Sequence, residues 1–171
     1  MATRNTFMFD ARPRHIWAAG LAMLFSSLVG GCAHDFYEQR VDMIEEHNKA
    51  FADHVKKDRV EAAIHENEEI EAIASEMADA IRKREAAPDA KEKDREWIVL
   101  KKGIETAVEN WLKLGQHLAK TKKYDQARAA YQRVMDTYTG ETERPYRERA
   151  ARAQRDIDIL NPRASASPPS L

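Results

Sequence analysis

The sequence predicts an all-α protein, and three observations carry that expectation. After residue 31 the glycines thin to Gly103, Gly115 and Gly140, Ala, Glu, Lys, Arg and Gln dominate, and β-branched residues never cluster. Apolar residues recur instead at steps of three and four, the spacing of one helical face. The expected architecture is a set of antiparallel helix pairs.

The first helix is expected over about Asp35 to Val55. Asp35 can cap it, and Val41, Ile44, Phe51 and Val55, with Asn48 between, share a face. The stripe breaks at Lys56-Lys57-Asp58-Arg59 and resumes out of phase with Val60, Ala63, Asn67, Ile70, Ala74, Met77 and Ile81. Asp58 and Glu61 have the spacing of an N-cap and its reciprocal partner, so a tight turn and a second helix over about Arg59 to Glu85 are expected. One long helix with a stutter is the alternative, because a stutter also shifts the phase. Residues 32–88 then form an N-terminal helix pair.

Pro88-Asp89 ends the second helix and restarts the chain, since the residue before proline is pushed out of the helical region and Asp89 can cap a new helix. The third helix is expected over about Ala90 to Lys120, with Trp97, Leu100, Ile104, Val108, Trp111, Leu114 and Leu118 inward. Gly103 and Gly115 interrupt it. Each costs about 1 kcal/mol relative to alanine, which is tolerable where another backbone must come close. The fourth helix is expected from Tyr124 or Asp125 to about Tyr138, ending near Gly140. Thr142 then caps a fifth, with Tyr146, Ala150, Ala153, Ile157 and Leu160 on one face, stopped by Asn161-Pro162. Residues 89–161 therefore form a second unit of helices, and 162–171, rich in Ser, Ala and Pro, is expected to be a disordered tail.

The N-terminal 31 residues differ from everything after them. Arg4, Arg12 and Arg14 precede an apolar run from Ile16 that ends in Val29-Gly30-Gly31-Cys32, the last being the only cysteine. About 14 apolar residues are too few for a bilayer that needs roughly 20. The pattern resembles a bacterial lipoprotein signal peptide with its lipobox. The resemblance implies that residues 1–31 are removed and that Cys32 carries diacylglycerol on its sulfur and is labelled by palmitate. It also implies that the membrane is a partner through that anchor. An uncleaved anchor with an incidental cysteine is the alternative. Ala33 is not the aspartate that retains lipoproteins at the inner membrane in enteric-type bacteria, so the outer membrane, facing the periplasm, is the expected location. Removing Arg4, Arg12, Arg14 and Asp10 from 28 basic and 29 acidic residues leaves 25 against 28, a net charge of −3. That balance gives no electrostatic footing for nucleic acid.

Within the third and fourth helices, Trp111-x-x-Leu114-Gly115-x-x-Leu118, followed by Tyr124, Ala127, Tyr131 and Val134, has the residue types and offsets of the tetratricopeptide repeat, which this stretch strongly resembles. The repeat would cover about Val108 to Glu141, with Lys122-Lys123 in its turn. It departs from the family in having Leu118 where an aromatic is common and no proline near Tyr138. An ordinary hairpin with Trp and Tyr in its core is the bland alternative. The resemblance implies a short solenoid in which the fifth helix caps the last apolar face. It also implies groove-facing positions at Glu109, Leu112, Gln116, Ala119 and Lys120, and an envelope protein or peptide as the bound partner.

No motif points to catalysis. His47 and His54 lie seven apart with Glu46 and Asp58 near in sequence, but the one-turn spacing of a helical zinc pair is absent. Glu45-Glu46, Glu66, Glu68, Glu69 and Glu71 sit among opposite charges and read as solvated helix faces. Phosphate-cradling glycine loops and a Gly-x-Ser-x-Gly elbow are missing. The sequence therefore predicts a non-enzymatic protein with no cofactor and no metal, acting as a lipid-anchored scaffold for protein-protein interaction. A structural helical spacer without a groove is the alternative.

Overall fold

A computed structural model describes residues 35–84 and 90–162, which form α1 (Phe36–Lys56), α2 (Val60–Arg84), α3 (Ala90–Lys120), α4 (Tyr124–Thr137) and α5 (Arg144–Leu160). The protein is all-α, and α1 and α2 are two helices rather than one. The expected signal segment with Cys32, the expected restart at Pro88-Asp89 and the expected tail from Arg163 lie outside the described residues.

Asp35 caps α1 as its position suggests, its Oδ1 accepting the Tyr37 N–H at 3.2 Å. The end of α1 departs from expectation. Asp58 is not the N-cap of α2 but takes a left-handed conformation, φ 55°, after the helix. Its N–H donates to the Val55 carbonyl at 3.1 Å and the Arg59 N–H donates to that of His54 at 2.9 Å, the bond pair of a Schellman ending. The α3–α4 turn repeats this geometry at Lys122, φ 61°, with Lys122 donating to Ala119 at 3.1 Å and Lys123 to Leu118 at 2.8 Å. A left-handed non-glycine residue costs on the order of 1–2 kcal/mol, which the satisfied carbonyls offset. The two turns touch: the Asp58 carboxylate accepts from Lys123 at 2.7 Å and lies 3.0 Å from His117. The hydrogen bond from Lys123, reinforced by His117, holds the Asp58 carboxyl below the usual range.

The core of the first three helices is built on Ile44, Phe51, Ile70, Met77 and Val99. At Gly103 an added Cβ would lie 2.9 Å from that of Ala74, so this glycine lets α3 approach α2. At Gly115 it would lie 2.6 Å from the Tyr131 ring, which occupies that space from α4. Asn67, fully buried on α2, donates to the Ala107 carbonyl of α3 at 3.1 Å. Two of the expected inward residues face outward instead: Trp97 is 50 % exposed and Leu160 is 67 % exposed. Val99 takes the inward place near Trp97, because α1 covers the other side of α3 there.

Thr142 does not cap α5. Its hydroxyl donates to Glu143 at 2.7 Å, and the helix starts later, with Pro145 in a first turn that suits its fixed φ. Arginines then hold α5 in place. Arg147 donates to the carbonyls of Tyr138 and Gly140, both at 2.6 Å, and Arg128 of α4 reaches Asp158 at 2.9 Å and the Asn161 carbonyl at 3.2 Å.

Candidate functional site

The five groove positions on α3 divide. Gln116 and Lys120 are exposed, Ala119 is partly buried, and Glu109 accepts from Arg149 of α5 at 2.5 and 3.3 Å. Leu112 is only 2 % exposed, so it is a core residue and not part of an open groove. The reason is tertiary. It lies one turn from Glu109, on the side of α3 that α5 covers, and belongs to the same core as Ala150 and Ile157.

The hollow on this side lies higher, between α1 and α3. Asn48, Glu105, Thr106, Glu109, Asn110 and Lys113 line a pocket of about 230 Å³. Asn110 is 1 % exposed, and neither its Oδ1 nor its Nδ2 has a hydrogen-bond partner. An unpaired buried polar group costs about 1–3 kcal/mol, so this amide is conspicuous among the described residues. Periodicity offered a signal for it, since residue 110 falls one turn from the buried Ala107 and Leu114.

Glu71, read from sequence as part of a solvated face, is the hub that ties α2 to α3 and α4. Its Oε1 accepts from Trp111 Nε1 at 2.8 Å and from the Tyr138 hydroxyl at 2.6 Å, and its Oε2 accepts from Arg133 at 2.8 Å. The Arg133 guanidinium also lies 5.7 Å from the centre of the Trp111 ring. Burial, then the hydrogen bond to Glu71 and the charge of its carboxylate, push the Tyr138 phenol well above its usual value. The readable sign was position: Glu71 is four residues after Asn67 and three before Ala74, both buried.

The histidines are dispersed among structural partners. His47 Nδ1 lies 2.7 Å from Glu66, and His54 Nε2 is 3.8 Å from its other oxygen. Glu46 is exposed and Asp58 turns to His117 and Lys123, so the four residues near in sequence make no common cluster. Among the described residues no group of three or more His, Cys, Asp or Glu is placed to hold a metal ion.

Two apolar hollows flank Leu100 and Ile104. One, of about 300 Å³, reaches Trp97 and Tyr146, and the other, of about 310 Å³, reaches Ala74, Ala78 and Tyr138. They exist because α4 stops at Thr137 while α3 starts at Ala90, which leaves the first half of α3 without a fourth-helix neighbour. Among the described residues no helix is long and apolar enough to cross a membrane. No family model matches the chain, and neither the curated proteins nor the solved structures contain a significant match to it.

Proposed function

We propose that the protein is a lipid-anchored envelope scaffold, held in the outer membrane through Cys32, that uses the polar side of α1 and α3 to bind an extended peptide segment of an envelope partner. The single observation that carries this reading is Asn110, a buried amide with both its donor and its acceptor unpaired beside a polar hollow. Turned into the hollow, one amide side chain matches one peptide group of an incoming chain, donating to its carbonyl and accepting from its N–H. Gln116 and Lys120 extend that side along α3 as exposed polar residues.

The tetratricopeptide resemblance supports the reading without deciding it. Gly115 faces the Tyr131 ring, and Ala127 and Val134 are fully buried between the paired helices, the roles their positions in such a repeat require. Aligning the two hairpins on their left-handed residues sets Ala63 against Ala127 and exchanges sizes elsewhere, Phe51 standing for Gly115 and Asn67 for Tyr131. With His47 standing for Trp111 as well, the clear repeat is confined to α3 and α4. The spacer alternative draws on the internal use of Glu109 and Leu112, which narrows the exposed groove.

The experiment is photo-crosslinking in native membranes from a benzophenone residue placed at Lys113, together with palmitate labelling of Cys32. The expected result is a discrete adduct that disappears with Asn110→Leu and weakens when Gln116 and Lys120 are changed, while Cys32→Ser abolishes the label. Adducts formed only from the exposed face of α1, at Lys49, and indifferent to Asn110→Leu would favour the spacer.

A further inference from the structure

The described residues expose five large apolar side chains, and they are not scattered evenly. Ile159 and Leu160 close α5, whose last turn is bound to the second turn of α4 through Asp158 and Arg128, toward the end of the molecule where α3 stops. Phe36, Trp97 and Ile98, at 47, 50 and 62 % exposure, lie toward the other end, Phe36 opening α1 and Trp97 and Ile98 about two turns into α3. The beginning of α1 is fixed there by the ion pair between Asp35 and Arg95 of α3, two residues before Trp97. The Arg95 guanidinium also lies 5.9 Å from the centre of the Tyr37 ring, and that of Arg40 lies 4.9 Å from the centre of the Phe36 ring.

We infer that this end of the molecule is a membrane-contact surface, in which Trp97, Ile98 and Phe36 enter the interfacial layer of the bilayer that holds the anchor. The inference rests on the lipid-anchor reading of Cys32 and adds to it a geometry. Three Cα steps separate Cys32 from Asp35, and at 3.8 Å each they reach no more than about 11 Å. A sulfur carrying acyl chains sits at the boundary of the hydrocarbon core, beneath a headgroup layer roughly 5–8 Å deep. The tether therefore keeps the start of α1, and Arg95 bound to it, close to that layer.

The side chains present are those that partition there. A tryptophan places an apolar ring and one N–H donor at the headgroup level. Lys101 flanks Trp97 and Ile98 on α3 and can lay its stem along the apolar layer while its charge stays in water, whereas Arg95 and Lys102 are held by Asp35 and Glu45 of the α1 side. A link of three residues brings the start of α1 near the headgroups in any orientation of the protein, and the exposed apolar residues lie close to that start.

The mature chain has two tryptophans, Trp97, which is half exposed, and Trp111, which is 6 % exposed, so intrinsic fluorescence reports on Trp97 directly. The test uses the lipidated protein reconstituted in vesicles of phosphatidylcholine brominated near the head of its acyl chains. Flotation with the vesicles is measured in parallel. The expected result is loss of the Trp97 share of the emission to the brominated lipid, with loss of its acrylamide quenching relative to detergent solution, and no such losses in Trp97→Phe. If the protein floats but Trp97 stays open to acrylamide and unquenched by bromine, the contact surface is wrong while the anchor stands. If Trp97 is shielded from acrylamide without bromine quenching, a protein neighbour covers it and the inference is overturned. Failure to float, with wild type and Cys32→Ser alike, overturns the anchor reading and this inference with it.

Discussion

Gly115→Ala sets two effects of opposite sign against each other, and the structure says which wins. Helix propensity alone favours alanine by about 1 kcal/mol in a helix interior. The new Cβ, however, would stand 2.6 Å from Cε1, 2.7 Å from Cζ and 3.0 Å from Cδ1 of Tyr131. Carbon atoms prefer a separation of about 3.5–4.0 Å, so α3 and the ring must part by nearly an ångström. Tyr131 is 2 % exposed, so the ring cannot move aside without displacing its packed neighbours. Overpacking of this kind costs about 1–3 kcal/mol, and three ring atoms inside contact distance place it in the upper part of that range. The net loss is about 1–2 kcal/mol, which for a domain of this size lowers Tm by roughly 3–6 °C. Thermal melts followed by circular dichroism, on the chain lacking residues 1–31 and carrying Cys32→Ser, measure it. In a Tyr131→Leu background the same substitution meets no ring, and propensity should then raise Tm relative to Tyr131→Leu alone. A rise in Tm for Gly115→Ala in the otherwise unchanged protein would refute the close approach of α3 and α4.

Trp111→Ala removes a large buried side chain and one donor to Glu71, so a loss of about 3–5 kcal/mol is expected from denaturant unfolding. Tyr138 should remain protonated well past the usual phenol value of about 10. Its pKa is raised on folding, so its stabilising share is complete below the unfolded value and is lost as pH climbs beyond it. Absorbance at alkaline pH should lose its latest-titrating phenol in Tyr138→Phe, while Tyr131, also raised by burial, keeps its own delay. Asp58 shows the opposite sign. Its carboxyl is held low by Lys123 and His117, so its contribution is present above the ordinary carboxylate value and lost as pH falls through the lowered one. Asp58→Asn should accordingly flatten the acid side of the stability profile while leaving it unchanged in shape at high pH.

The sequence by itself determined the helical class, the five segments and most of the core, because those arise from local signals. Helix propensity, a stripe at three- and four-residue steps, and Pro162 as a stop act within a few residues of the chain. Even the close approaches at Gly103 and Gly115 were legible, since a glycine kept inside a helix at a cost implies a neighbour. Caps were less so. Asp58 and Thr142 had the right chemistry for N-caps, but whether a residue begins one helix or ends another depends on its φ, and Asp58 took the left-handed place that glycine usually fills.

What only the tertiary structure decided is which polar residues are spent inside the fold. A carboxylate such as Glu71 looks the same in sequence whether it faces water or three donors from α3, α4 and the residue that ends α4. Leu112 could be assigned to a groove until α5 was seen to cover it, and Trp97 to the core until α4 was seen to stop short. Periodicity fixes the angle of a side chain around its own helix and carries no information about what stands opposite. That is set by helix lengths and turn geometry acting together, over separations in the chain that a local pattern does not span.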